Sequence, residues 1–137
     1  MGQFYLIINL DKKEYIHPNK FSCGMHINEF LRCKYGIMTG LGLLLADTNS
    51  MDSFCSRIED GKVIGDGVIG RWAGDRVVIA GDYVTHLKYD FEFEDTKNNL
   101  YNVALLFYDD VSDEVLKNML KDDEIALEYK MLKDNVL

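Results

Sequence analysis

The chain has 137 residues, 47% of them hydrophobic and 28% charged, with a formal net charge of −8. A single domain of that size buries a real core without staples, and the longest apolar run, Leu41–Ala46, is far too short to cross a bilayer. No basic segment followed by an apolar one opens the chain, and Leu6 stands where myristoylation wants Ser or Thr, so a soluble, cytoplasmic protein is expected.

The charge is unevenly placed. Residues 1–89 carry ten acidic and ten basic side chains, whereas residues 90–137 carry thirteen and five, so the second part supplies the whole −8. Nucleic acid binding needs clustered Lys and Arg, which argues against that partner. The acidic third reads as a solvated face or as a surface that meets a basic protein. Cys23, Cys33 and Cys55 are odd in number and widely spaced, the pattern of reduced thiols. Cys23 and His26 have ligand-like spacing, but the second knuckle of a zinc site is missing, so no metal and no cofactor is expected.

In chain order, QFYLIINL is apolar on both faces and reads as an interior strand. Asp11-Lys12-Lys13 turns the chain, and Glu14–His17 returns as a partner strand before Pro18. Ile27, Phe30, Leu31 and Tyr35 recur at helical spacing, with Gly36 as a C-terminal cap; Thr39 caps a second, buried helix through GLGLLLAD. Gly40 and Gly42 inside that helix signal close approach of another backbone. Asp47–Asp60 is expected to be a surface loop, and Val63-Ile64 and Val68-Ile69 to flank a tight turn at Gly65-Asp66-Gly67. Leu87–Phe93 alternates as a half-buried strand. Leu100–Phe107 fits a helix or a buried strand, Ser112 caps a helix with Val115, Leu116, Met119 and Leu120 as its stripe, and Ile125–Met131 alternates like an edge strand. The class expected is α+β: one domain over 1–137, a mostly antiparallel sheet with three or four helices on one face.

The densest feature is Gly70–Tyr83, GRWAGDRVVIAGDY, which holds the only Trp and two Gly-Asp steps around a strand-like run. Asp75 and Asp82 suggest paired carboxylates, yet seven residues of strand separate them by about 20 Å, and acid–base pairs work within roughly 5–10 Å. Two clusters therefore result. Arg71, Trp72, Asp75 and Arg76 form the candidate ligand site: the guanidinium fork suits an anion and the indole offers a flat face. The same residues serve equally as an Arg–Asp pair clamping a turn over a buried Trp. His17, Asp82 and Tyr83 form the second cluster. Phosphate-loop, dinucleotide, HExxH and nucleophile-elbow patterns are absent from the sequence, and no catalytic residue is assigned.

MGQFYLIINLDKKEYIHPNKF and IGRWAGDRVVIAGDY resemble a family of small proteins of bacteria and viruses, phages included. The family's marks are MGQ-aromatic-aromatic, N-x-D-K-x-E-Y-x-x-P-H, a methionine-threonine-glycine-leucine helix and WAGDR…AGDY. Here they fall on Gly2, Gln3, Asn9, Asp11, Lys12, Glu14, Tyr15, His17, Pro18, Met38, Thr39, Trp72–Arg76 and Gly81–Tyr83. The chain departs at Asn19, where His is expected, and at Ser22-Cys23, where Gly-Asp is usual. The resemblance implies a shared fold and site and supplies no reaction. Together these features point to a non-enzymatic binding protein for a small nucleotide-like anion. The alternatives are an acidic inhibitor of a protein partner and a small metal-assisted hydrolase using Asp75 or Asp82 with His17. Homo-oligomers are compatible with the sequence; nucleic acid and membrane partners are not expected.

Overall fold

The structure, a computed structural model, describes residues 3–46, 57–59, 62–64, 68–83 and 99–134. Its centre is strand β1 (Tyr5–Asn9), which pairs antiparallel with β2 (Glu14–Ile16) on one side and with β5 (Val77–Gly81) on the other. A two-residue strand β6 (Asp109–Asp110) adds in parallel to β2, giving the order β5-β1-β2-β6. A separate hairpin joins β3 (Arg57–Glu59) to β4 (Lys62–Ile64).

The apolar character of β1 on both faces has a direct cause. Ile7 faces one side with its cross-strand partners Ile16 and Ile79, while Leu6 and Ile8 face the other with Ala80, Tyr15 and Val78. Leu6, Ile7 and Ile8 are all fully buried. On the Ile7 face pack α1 (Ile27–Arg32), α2 (Ile37–Leu45), α4 (Ser112–Met119) and α5 (Asp123–Asp134), through Phe30, Leu44, Val115, Met119 and Ile125. On the Leu6 face packs α3 (Leu100–Phe107), through Leu100, Tyr101 and Ala104. The architecture is α+β, with four helices on one face of a mostly antiparallel sheet and the fifth on the other.

Several local expectations change in three dimensions. Gly36 is the N-terminal cap of α2 rather than the end of α1, which stops at Arg32, and Thr39 lies inside α2. Position 36 has to be small because a Cβ there would strike the sulfurs of both Cys23 and Cys33. Gly40 marks a close approach of side chains rather than of another backbone: its Cβ would sit 2.9 Å from the Val115 side chain of α4 and 3.1 Å from the Phe21 ring. Gly42 meets nothing within 4 Å. Arg57–Glu59, expected in a loop, is strand β3, and β4 pairs with it rather than with Val68-Ile69. Residues 47–56 and the expected strand Leu87–Phe93 lie outside the described residues.

The α3 segment takes the helical alternative, with Asn99 capping it by accepting from the Asn102 amide. Ser112 is the first residue of α4 rather than its cap. Asp110 Oδ1 accepts from the Ser112 amide, and Ser112 Oγ accepts from the His17 amide, fastening α4 to the hairpin. Ile125–Met131 is helical, not an edge strand. Of its four alternating apolar residues only Ile125 and Tyr129 are buried; Leu127 and Met131 are 62% and 51% exposed, so the buried period is four. Cys23 and Cys33 are joined as a disulfide across ten residues, in place of the reduced thiols expected for them. Among the described residues no helix is long and apolar enough to cross a membrane.

Candidate functional site

The sheet has two polar ends, and the conspicuous motif contributes to both. At the first end, the β1–β2 turn and the segment Gly70–Arg76 close on each other. Asn9 is fully buried; its Oδ1 accepts from the amides of Asp11 and Lys12, shaping the turn, and its Nδ2 donates to Asp75 Oδ2 at 2.9 Å. Asp75 also pairs with Lys12. Asp11 takes three hydrogen bonds from Arg76: from its amide at 2.7 Å, its Nε at 3.0 Å and its second guanidinium nitrogen at 2.8 Å.

Glu14 lies beneath this turn, only 6% exposed, on the same face as Ile16. Arg71 donates to both of its oxygens, at 3.1 and 2.5 Å, and Trp72 Nε1 donates to Oε1 at 2.9 Å. Trp72 is itself fully buried in the core. Burial pushes the Glu14 carboxyl up, but the Arg71 and Trp72 hydrogen bonds, with the charges of Arg71 and Lys12, outweigh it and hold it below its ordinary 4.5. The bond to Glu14, opposed by burial, raises Arg71 further. Hydrogen bonds from Lys12 and Asn9 lower Asp75, and those from Arg76 lower Asp11.

The backbone that carries Trp72 is anchored by α2. The Gly70 and Trp72 amides donate to the carbonyls of Leu43 and Leu44, two of the acceptors that a helix end leaves open. Gly70 has φ +77° and packs 2.8 Å, measured to a Cβ built on it, from the Ala46 carbonyl, so any larger residue is excluded there.

Arg71, Trp72, Asp75 and Arg76 are thus brought together, each engaged with a residue of the hairpin. Both guanidinium groups already hold carboxylates in two-pronged fashion, and Glu114 stands 3.7 Å from Arg71 as well. An incoming anion would have to displace Asp11 or Glu14. Within the acidic third, Asp113 stands 3.6 Å from Lys20 and Glu128 3.8 Å from Lys34, both surface pairs.

At the second end, Asp82 extends the β1–β5 ladder: its amide donates to the Phe4 carbonyl, and its Oδ1 accepts from the Phe4 amide at 3.0 Å. Tyr83 is 57% exposed. His17 follows β2, on the far side of β1 from Asp82, and turns towards α4. Its Nδ1 accepts from the Asn19 amide, and burial lowers its pKa against the opposing pull of Asp110. No contact joins His17 to Asp82 or Tyr83 among the described residues. Asp75 and Asp82 lie at opposite ends of β5.

A cleft of about 350 Å³ also opens at this end, lined by Gln3, Tyr5, His26, Ile27 and Asn28. Gln3 and Tyr5 lie across Gly81, where a Cβ would overlap Gln3 Oε1 and come 3.1 Å from the Tyr5 ring. The His26 ring packs against Phe4, tilted by 47° with centroids 5.3 Å apart, and its Nδ1 is 3.2 Å from the Gln3 carbonyl oxygen. The Cys23–Cys33 disulfide closes the chain segment that carries His26–Asn28 and α1.

Sequence reasoning met Gln3 and Glu14 as motif marks and His26 as a ligand-like neighbour of Cys23, and assigned neither Glu14 nor the cleft residues to a binding site. Glu14 had a usable signal: in Glu14-Tyr15-Ile16 it shares a face with Ile16, and a carboxylate on a core-facing position needs a partner. The cleft had none, because its walls come from segments more than twenty residues apart. Cys23 and Cys33 are bonded to each other, so their sulfurs are not metal ligands, and no cluster of three or more metal-ligating side chains occurs among the described residues. The chain matched no protein-family model, no curated protein and no solved structure.

Proposed function

We propose that the chain is a binding protein without chemistry of its own, which holds a small nucleotide-like ligand. The observation that carries this reading is the engagement of its candidate acid–base groups. Asp75 is held by Asn9 and Lys12, Asp82 by the Phe4 amide and His17 by the Asn19 amide, and among the described residues no hydrogen bond or ion pair links any two of the three. Proton transfer in a reaction needs a base free to reach substrate and a partner to orient it. A hydrolytic role for Asp75 or Asp82 with His17 therefore has no support in the geometry.

The test is a thermal-shift panel of nucleotides, nucleosides and bases on the full chain. Occupancy stabilises by RT ln(1 + [L]/Kd), about 2.7 kcal/mol at one hundred times Kd. A concentration-dependent rise with at least one compound is the expected result. A flat response across the whole panel removes the reading.

A further inference from the structure

We propose that the cleft beside β1 and α1 is a binding site for an uncharged planar heterocycle, a nucleobase or its nucleoside. This deepens the binding reading above and rests on it. The cleft volume of about 350 Å³ lies near the small end of ligand sites, which run from roughly 300 to 1,000 Å³. Its walls pair one aliphatic side chain, Ile27, with the rings of Tyr5 and His26 and the amides of Gln3 and Asn28. Rings offer faces on which a flat ligand stacks. An amide presents a donor and an acceptor side by side, the complement of a base edge.

These polar groups are uncommitted. The side chains of Gln3, Tyr5 and Asn28 reach no hydrogen-bond partner among the described residues, and Gln3 Oε1 is enclosed without a donor. Gln3 Oε1 packs against Gly81 and is closed to the cleft, which leaves Gln3 Nε2, the Tyr5 hydroxyl and the Asn28 amide as its unpaired polar groups among the described residues. His26 is engaged on one side only. A carbonyl oxygen can only accept, so the 3.2 Å contact to Gln3 O assigns the proton to Nδ1. In the neutral ring Nε2 is then an acceptor for a ligand N–H; Glu29 Oε1, 4.0 Å away, does not bond it. The tilted contact with Phe4 covers one side of the ring.

The cleft also selects on charge. Among the described residues no Lys or Arg lines it, and Glu29, whose carboxylate accepts from the His26 amide, is the charged side chain beside its His26 wall. A phosphate gains no ion pair from the described residues, so a nucleoside is expected to bind at least as tightly as its monophosphate.

The experiment is amide-resolved NMR titration of the full chain with adenosine, guanosine, cytidine and uridine and with the four 5′-monophosphates. Expected are saturable shifts centred on Gln3, Tyr5 and His26–Asn28 with at least one nucleoside, and no tighter binding of its monophosphate. Asn28→Ala and Gln3→Ala each weaken that binding by roughly tenfold or more, the loss typical of a polar group read by a site, with an unchanged melting temperature for the exposed Asn28. Absence of cleft shifts with every nucleoside overturns the proposal, as does a loss smaller than tenfold in both variants. Saturable shifts centred on Arg71–Arg76, or seen only with monophosphates, overturn the cleft while leaving the binding function intact. The thermal panel alone decides that function.

Discussion

The two ends of the β1–β5 pair differ in one property: whether their polar groups are used up. At the Asn9–Glu14 end, Asn9 and Lys12 both hold Asp75, Asp11 holds Arg76, and Glu14 holds both Arg71 and Trp72. At the Gln3–Tyr5 end, rings and amides surround an open cleft, and the side-chain polar groups of Gln3, Tyr5 and Asn28 have no hydrogen-bond partner among the described residues. A charged cluster with a flat indole looks like a site when its residues are read singly. Its internal neutralisation makes it a clamp. The plainer side chains of the other end are the ones left with capacity to bind.

The clamp breaks most sharply at Glu14. Glu14→Ala leaves the Arg71 guanidinium and the Trp72 N–H without their acceptor in a buried setting, and loss of one partner from such a pair costs about 3–5 kcal/mol. Urea unfolding measures it; a loss under about 1 kcal/mol would show that the cluster is not holding the fold.

Next in size is the disulfide beside the cleft. Removing it with Cys33→Ser frees a loop of ten residues and costs about 2–3 kcal/mol by chain entropy. Because that loop contains His26–Asn28, hydrogen exchange in the cleft wall rises more than in the Arg71–Arg76 segment. Equal exchange in both regions would separate the disulfide from the cleft.

Gly81→Ala follows. The new Cβ meets the movable end of Gln3 and the edge of Tyr5, an overpacking cost of roughly 1–2 kcal/mol. Stability measured beside a Gln3→Ala, Gly81→Ala double variant isolates the collision, since relief of the penalty is expected when Gln3 is shortened.

Acid provides a graded probe of the clamp. Glu14 titrates below its ordinary 4.5 in the folded chain, so beneath that value the unfolded chain binds more protons and stability falls as pH drops. Asp11 and Asp75 act in the same direction below their ordinary 3.8. Unfolding measured from about pH 6 to about pH 3 shows the slope, and Glu14→Gln flattens it. The smallest effect belongs to the open end: Asn28→Ala changes stability by no more than about 0.5 kcal/mol, and a larger loss would mean that Asn28 is part of the packing rather than free.

Much of the fold was legible because its causes are local or periodic. QFYLIINL is apolar at every register, which only an interior strand satisfies, and β1 is flanked on both edges. The run before Asp82 reads as a strand for the same reason. The ambiguous segments were those whose apolar residues fit two periods. Ile125, Leu127, Tyr129 and Met131 alternate, yet only the pair four apart meets the core, and that choice is made by the helices packed against them. Gly36 was misplaced because its small size answers to two sulfurs brought in by other segments, not to the end of α1.

The candidate site was half legible. Separation of Asp75 from Asp82 follows from the rise of a strand and needs no tertiary information. The fate of Arg71, Trp72 and Arg76 does need it, since their partners Glu14 and Asp11 lie 57 to 65 residues away. By itself the sequence determined the α+β class, the interior strand and the two-ended layout of the motif, because side-chain periodicity and chain geometry act within a segment. Only the tertiary structure decided which polar end is saturated and which is open. Whether a guanidinium or an amide remains available depends on the atoms that other segments bring within about 3 Å of it.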